Sequence, residues 1–502
     1  MADGADQIDR RPGAGGGAIA VAFVMAVAAG GCAHLGGKPP ALPSNVPAGY
    51  VETNADTPTG ETDLPTWWTR FQDPVLNDLI GRVLAGDIDL KQAALKIEEA
   101  RQGAVIARAR GLPQVAAAPS ASQNRISENA IPIPPGAGGG GQPPSPFGFA
   151  GSEFSSYRLG LDASWELDLF GGARSGLAAA RARTAAAEWS ERDLRVALAA
   201  ETASHYLALR AAQARRALAW AELSRQRELL ELVKARADQG LASPVDVRRR
   251  EAEVSAAEAR AYPLQAEARA RIHALSVLAG EPPGALDVLL SKDAALPAAP
   301  APPPGLPSDL LRRRPDIRRA ERDVAAAAGD VGVAAADLYP KITLSAQPAM
   351  VSTALSTLLD WGSRNYAVSA GLLWPIFEGG KLRARLAQAN ARQQEALLAY
   401  RKTVLVALKD VEDALARYQA DEARRGSLEA SLESARAAET LARDRYEAGL
   451  NPYSDVLAAR EASIAGEDAL AQAEAARATD AVALYAALGG GWSETDLKES
   501  AP

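Results

Sequence analysis

The sequence predicts a mostly α-helical protein that also contributes strands to a membrane β-barrel, and three observations support this fold class. Proline is absent between Gly172 and Pro244 and again between Pro375 and Pro452. Each stretch can therefore form one helix of roughly 65 to 70 residues, on the order of 100 Å long, which no single globular domain needs. A segment around Trp165 alternates polar and apolar residues, as in strands that separate lipid from water. The third observation is an internal repeat.

Two landmarks occur twice in the sequence, which indicates a duplication. The segment 240–247 returns as 449–456, about 209 residues later. A Trp-led segment that ends in a double glycine occurs at Trp165 and again at Trp374, with nearly the same offset. We therefore predict an internal two-fold repeat with these boundaries: repeat 1 over 61–297, a Pro-rich linker over 298–307, repeat 2 over 308–490 and a C-terminal tail over 491–502.

Composition and charge exclude several classes of protein. The chain of 502 residues is 47% hydrophobic but only 5% aromatic, and alanine dominates its apolar residues. Alanine favours helices and buries little area, which suits long helices packed closely along their length. The net charge of -7 gives no electrostatic footprint for nucleic acid and no polybasic patch for a membrane surface.

The N-terminus has the features of an export signal. Two arginines precede an apolar run from Ala18 to Ala29, and small residues then lead to Cys32, the only cysteine of the chain. The run is too short for a permanent membrane-spanning helix. We predict a signal peptide over 1–31, lipidation of Cys32 and a lipid-anchored extended tether over 32–60. A plain secretory signal, or an uncleaved anchor with an incidental cysteine, is the alternative.

Repeat 1 begins with helix and continues with strands. The helical pattern runs from about Pro74 to Arg110 and stops at the breakers Gly111-Leu112-Pro113. The Gly- and Pro-rich stretch from Ile131 to Gly151 is expected to be a long loop. We predict four strands per chain, at Val115–Arg125, Tyr157–Leu169, Ile342–Met350 and Tyr366–Phe377. Four strands cannot close a barrel around a channel, so several chains must share one.

The second long helix carries a heptad pattern, and each long helix is followed by a tight reversal. The heptad seam comprises Leu397, Val404, Leu408, Val411, Leu415 and Tyr418. Gly240 and Gly449 can adopt the left-handed conformation that ends a helix. Pro244 and Pro452 suit the first position of the returning helix. These four are the predicted turn-forming residues.

An aspartate follows each reversal, at Asp246 and Asp455, and its role has two interpretations. In the first turn of a helix, the helix dipole favours a carboxylate by ~0.3–1 kcal/mol. Alternatively, if several copies surround an axis and the turns form the far end of a tube, the aspartates form rings that select cations.

No residue pattern indicates catalysis or metal binding. The three histidines are scattered without ligand spacing, and the sequence contains neither a nucleophile elbow nor a phosphate-binding loop. We therefore predict no catalytic residues, no metal site, no cofactor and no enzymatic activity.

A combination of motifs extends over most of the chain, from roughly Trp67 to Leu488. It comprises Arg314–Ile317, Leu338–Ile342, the two Trp to double-glycine segments and the two Gly-Leu turns. In this order the motifs resemble the TolC and OprM type outer-membrane efflux channels, particularly their lipoprotein branch. The resemblance implies a homotrimer whose twelve-stranded barrel lies in outer-membrane lipid and is continued by a long α-helical tunnel in the periplasm.

The resemblance also implies a function and partners. Such a conduit exports drugs or other small toxic solutes, together with a periplasmic adaptor protein and a proton-driven inner-membrane pump. A conduit of a type I protein secretion system uses the same architecture and is the alternative. A structural coiled-coil trimer without a pore would lack the amphipathic strands.

The resemblance finally implies site residues at the tip of the tunnel. In relatives, an aspartate and a tyrosine that match Asp246 and Tyr446 form a latch, and a constriction acid matches Asp455. Ala458 replaces a second constriction acid, and Asn451 stands where some members have a latch arginine. The expected junctions between barrel and helices are the double glycines Gly171-Gly172 and Gly379-Gly380.

Overall fold

The computed structural model describes residues 47–53, 64–127, 153–298, 303–305 and 307–493. The predicted signal peptide, Cys32, the loop over 131–151 and nearly all of the C-terminal tail lie outside these residues, as do most of the tether and part of the Pro-rich linker. No helix in the part of the chain that the structure describes combines the length and the apolar character needed to cross a membrane.

Helix dominates the described residues. The α-helices are α1 Pro74–Gly86, α2 Ile88–Ala109, α3 Gly172–Asp238, α4 Pro244–Leu278, α5 Asp287–Leu290, α6 Pro307–Arg313, α7 Pro315–Ala336, α8 Lys381–Glu447 and α9 Tyr453–Ala487. The two long helices α3 and α8 have 67 residues each, which confirms the length predicted from the proline-free stretches. Their partners α4 and α9 have 35 residues each.

The helical pattern from Pro74 to Arg110 forms two helices, because the chain breaks at Asp87 between α1 and α2. The Asp87 carboxylate accepts a hydrogen bond from the backbone N–H of Leu90 at 2.9 Å and so caps α2. A Cβ on Gly86 would lie 2.2 Å from the carbonyl oxygen of Ala279. This close approach of two backbones is a tertiary contact that helical periodicity does not reveal.

The strands form one antiparallel sheet in which seven segments follow four paths. The segments are β1 Gln114–Ala117, β2 Ser120–Arg125, β3 Glu153–Leu167, β4 Lys341–Ala346, β5 Ala349–Ser352, β6 Arg364–Asn365 and β7 Val368–Leu373. Strand β3 pairs with β1 and β2 on one side and with β4 and β5 on the other; β7 pairs with β4, and β6 with β5. Pro119 and Pro348 lack an N–H and interrupt two of the paths. The predicted fourth strand extended too far, since β7 ends at Leu373, two residues before Pro375.

The register of the sheet separates an apolar face from a polar face. In one row across three strands, Trp165 opposes Leu344, which opposes Ala370. In the next row the same strands align Ser164, Ser345 and Ser369. The hydroxyl oxygens of Ser345 and Ser369 are 2.8 Å apart. The alternation seen in the sequence of β3 therefore continues across the sheet.

The described residues divide into two compact units. All seven strands belong to the first, whose described residues lie within 100–182 and 324–395. The second unit draws on 41–99, 183–323 and 396–502. In this unit, Trp67 is fully buried and stacks on Tyr485 at a centroid distance of 5.0 Å. The hydroxyl of Tyr206 donates to Asp73 at 2.5 Å. On α8 the heptad residues Val404, Val411 and Leu415 are buried, as a packed seam requires.

Candidate functional site at the turns of the helical hairpins

The first hairpin, α3 and α4, reverses at Gly240, which has a φ of +70°. The backbone N–H of Leu241 donates to the carbonyl of Arg236 at 2.9 Å, which ends α3 in a Schellman-like turn. The hydroxyl of Ser243 then accepts a hydrogen bond from the Asp246 N–H at 3.3 Å, and the Ser243 N–H donates back to the Asp246 carboxylate at 3.1 Å. Pro244 occupies the first helical turn of α4. The Ser243 hydroxyl also donates to the Asp246 carboxylate at 2.8 Å, and this hydrogen bond, together with the one from the Ser243 N–H, lowers the pKa of Asp246.

The second hairpin, α8 and α9, reverses in the same way at Gly449, whose φ is +71°. Pro452, however, is the N-cap residue of α9 and not its first residue. Proline has no side-chain acceptor, so the second turn has no capping box. The prediction that both prolines play the same part was therefore wrong by one position. As a consequence, the exposed Asp455 carboxylate receives no cap hydrogen bond from the residue that corresponds to Ser243.

The structure does not bring Asp246 and Tyr446 together within one chain. The Asp246 carboxylate bonds to Ser243 within its own turn. The Tyr446 ring instead packs edge-on against Tyr453, with a centroid distance of 5.0 Å. Among the residues described in a single chain, no hydrogen bond joins the two predicted latch residues.

Sequence reasoning missed Arg250, which joins the two hairpins next to their turns. Its guanidinium carbon lies 5.0 Å from the ring centroid of Tyr453, although Arg250 belongs to α4 and Tyr453 to α9. Arg250 is only 5% exposed. It donates to Glu253 at 2.5 Å and to Gln226 of α3 at 3.3 Å. No local pattern marks this arginine among its neighbours Arg248 and Arg249.

A second arginine, Arg460 of α9, joins the hairpins through two buried glutamates. Its guanidinium donates to both oxygens of Glu439 on α8, at 3.0 and 3.1 Å. It also lies 3.5 Å from Glu222 on α3. Gln226 donates to Glu222 at 2.7 Å and accepts from Arg250, so one polar network connects all four helices. A buried network of this kind holds two hairpins in one arrangement and is costly to break.

The double glycines lie where strands lead into the long helices. Gly171 has a φ of +80° and Gly172 begins α3. Gly379 and Gly380 have φ values of +58° and +88° and precede α8. The Asp168 carboxylate accepts from the backbone N–H groups at the start of α3, at 3.0 and 2.9 Å. Within the described residues, no group of three His, Cys, Asp or Glu side chains is placed to hold a metal ion.

Comparisons with known proteins match nearly the whole chain. The family described as outer membrane efflux protein matches residues 79–281 and 306–490. The pyoverdine export outer membrane protein OpmQ of Pseudomonas aeruginosa is 34% identical over 438 residues, which cover 86% of this chain and 88% of that protein. The toluene efflux pump outer membrane protein TtgF of Pseudomonas putida is 32% identical and covers 94% of this chain and 96% of its own length. The structure of the outer-membrane channel OprN has a TM-score of 0.81 at 35% identity and covers 90% of this chain and 98% of that chain.

Proposed function

Because the chain belongs to the outer membrane efflux protein family, we propose that three copies of it close one channel that exports small toxic solutes. Family membership makes the protein the outer-membrane component of an efflux system. The trimer, the twelve-stranded barrel, the periplasmic tunnel built from the two repeats and the class of solute form the proposal.

The two unpaired edges of the sheet support the proposal that the protein is a trimer. Among the described residues of one chain, β1 and β2 form one edge and β6 and β7 form the other, with no strand beyond either. Backbone N–H and C=O groups at such an edge have no partner in lipid, and each unsatisfied group costs several kcal/mol. Twelve strands from three chains remove every edge. The mass of the detergent-solubilised protein, measured by light scattering, should be three times that of the chain; a stable monomer would refute the proposal.

We propose that the exported solutes are small and chemically varied. The two relatives above are named for pyoverdine export and for toluene efflux, and the row of the sheet at the level of Ser164 bears uncharged polar side chains, those of Gln114, Ser345 and Ser369. Selection then falls to a periplasmic adaptor and a proton-driven inner-membrane pump. Deletion of the gene should raise the intracellular accumulation of a fluorescent toxic solute, and the intact gene should restore export.

The turns of the hairpins are proposed to form the closed end of the tunnel. Asp455 is exposed and free of a capping box, which suits a ring of carboxylates around an axis. Asp246 and Tyr446 would then meet only in the assembled trimer. In planar bilayers, Asp246→Ala and Tyr446→Phe should raise the resting conductance, and Asp455→Ala should reduce cation selectivity. Unchanged conductance in the first two variants would exclude the latch.

Lipidation of Cys32 is proposed as the membrane anchor. Labelled palmitate should enter the parent protein and not the Cys32→Ala variant. Equal labelling of both would show that the cysteine is incidental.

A further inference from the structure

The chain leaves the sheet twice toward a long helix, and at the first exit aromatic residues rest on neighbouring turns. After β3, the ring of Phe170 stacks on Tyr339 with a centroid distance of 4.8 Å and an interplanar angle of 15°. Tyr339 lies in the turn between α7 and β4. In the same way, the indole N–H of Trp165 donates to the carbonyl of Gly111, in the turn between α2 and β1, at 3.1 Å. Each contact joins a strand exit to the turn that leads into an adjacent strand.

The second exit, after β7, carries similar residues, but within the described parts of the chain the ring of Phe377 stacks on no other ring. Phe377 is 88% exposed and Ile376 is 86% exposed. The turn that leads into β1 has an apolar residue at Leu112, which is followed by Pro113 just as Tyr339 is followed by Pro340. Leu112 is 51% exposed. At one edge of the sheet, the aromatic side chain of Phe377 is thus exposed. At the other edge, the apolar side chain of Leu112 is exposed as well.

We infer that Phe377 of one copy packs on Leu112 and Pro113 of the next copy, which repeats the Phe170–Tyr339 contact between subunits. The inference rests on the proposed trimer, since β7 of one copy then lies beside β1 of the next. When two strands are neighbours in the sheet, the segment that leaves one strand lies against the turn that leads into the other. Strands β3 and β4 show this arrangement through Phe170 and Tyr339.

Charge favours a second copy over lipid as the occupant of this surface. Arg110 is exposed beside Leu112 and has no ion-pair partner among the described residues. Glu378 directly follows Phe377, and its carboxylate lies 3.0 Å from Lys381. The contact therefore brings an unpaired cation of one edge toward an acid of the other. Charged residues on both sides of the apolar pair also place it at the level of water and not of hydrocarbon.

The test is a disulfide between two differently tagged chains. Phe377→Cys carries one tag, Leu112→Cys carries the other, and both are expressed in the same cells and oxidised with copper phenanthroline. A disulfide that joins the two tags is expected. Phe170→Cys and Tyr339→Cys, divided between two chains in the same way, should not link the tags, because that contact lies within one chain. The parent protein, which retains Cys32, gives the background.

The outcomes separate this inference from the proposed trimer. A trimer by light scattering without any link between the tags would overturn the inference and leave the function intact. A monomer by light scattering would refute the function itself. As a second measurement, Phe377→Ala should lower by several degrees the temperature at which the purified trimer dissociates on a gel. Val288→Ala, which truncates a side chain 97% exposed elsewhere, should leave that temperature unchanged, and an equal effect of both would count against the contact.

Discussion

The guanidinium of Arg250 lies 5.0 Å from the ring centre of Tyr453 and so connects the first helical hairpin to the second beside their turns. Tyr453 begins α9 and also receives the edge of Tyr446 from α8. Cation–π contacts of buried arginines contribute about 2 kcal/mol. A tunnel that opens by parting these two hairpins has to break this contact.

Replacement of this arginine should therefore favour the open channel. Arg250→Met removes the contact with Tyr453 and the hydrogen bond to Gln226, and a loss of about 1–2 kcal/mol corresponds to a roughly 5- to 30-fold change in the open population. The measurement is the frequency of open events in planar bilayers. Arg249→Met removes the same charge from an exposed neighbour and is the matched control. Equal behaviour of the two variants would contradict a specific role for Arg250.

Loss of Arg460 should destabilise the helical hairpins. Arg460→Met removes the guanidinium that Glu222 and Glu439 share, although Glu222 keeps Arg225 at 3.0 Å and Glu439 keeps Arg443 at 3.4 Å, so the expected cost is about 1–3 kcal/mol. Thermal unfolding followed by circular dichroism should show a clear fall in the midpoint. Arg436→Met breaks a more exposed ion pair with Glu467 within one hairpin, and should cost less than about 1 kcal/mol. Similar midpoints for both variants would refute the bridge.

A pair of carboxyl groups between α8 and α9 should make stability depend on pH. Burial and a hydrogen bond with Asp421 raise the pKa of Asp480 to about 6, while Arg417 lies 3.8 Å from Asp480 and Arg424 lies 3.9 Å from Asp421. A raised folded-state pKa means that the folded protein binds more protons between about pH 4 and 6, so its stability falls as pH rises through this window. Asp480→Asn should remove that fall and stabilise the protein at pH 8.

Urea unfolding at several pH values measures this dependence. Asp413→Asn is the control, because the pH dependence that Asp413 contributes has the opposite sign. A hydrogen-bonded ion pair with Lys409, one turn earlier, lowers the pKa of Asp413. The stability that this pair contributes is present at neutral pH and is lost as pH falls through the lowered pKa. If Asp480→Asn leaves the pH dependence unchanged, the carboxyl pair is not its source.

Close helix packing at Gly329 should not tolerate a methyl group. A Cβ on Gly329 of α7 would lie 2.8 Å from the Cβ of Ala179 and 2.9 Å from the carbonyl oxygen of Ser175, both on α3. Gly329→Ala should therefore destabilise the protein by about 1–3 kcal/mol. Gly103→Ala, in α2, meets no atom within 4 Å and should be neutral or stabilising by up to about 1 kcal/mol. Midpoints of thermal unfolding compare the two.

Local sequence patterns were sufficient to predict the long helices, the strand β3 and the backbone conformation of the turns. The proline-free stretches predicted two helices that prove to have 67 residues each, and the alternation from Tyr157 predicted β3. Gly240 and Gly449 adopt the left-handed conformation that a reversal requires. The break at Asp87 was not predictable, because the close approach of Gly86 to Ala279 depends on residues almost two hundred positions apart.

The candidate site could be predicted only in part for the same reason. Asp246 and Asp455 were identified as similar residues, yet the turns differ because Ser243 offers a capping hydroxyl and Pro452 does not. Arg250 and Arg460 carry no sequence signal. Each is one arginine among many on an amphipathic helix, and its partners lie on other helices.

By itself the sequence determined which segments are helix, strand or turn, and it indicated a family, since helical, strand and heptad periods and backbone breakers act over a few neighbouring residues. Tertiary structure decided which side chains meet between the hairpins, where the first helix breaks and which edges of the sheet stay unpaired. These depend on contacts between distant parts of the chain, and no local period encodes the partner of a buried arginine.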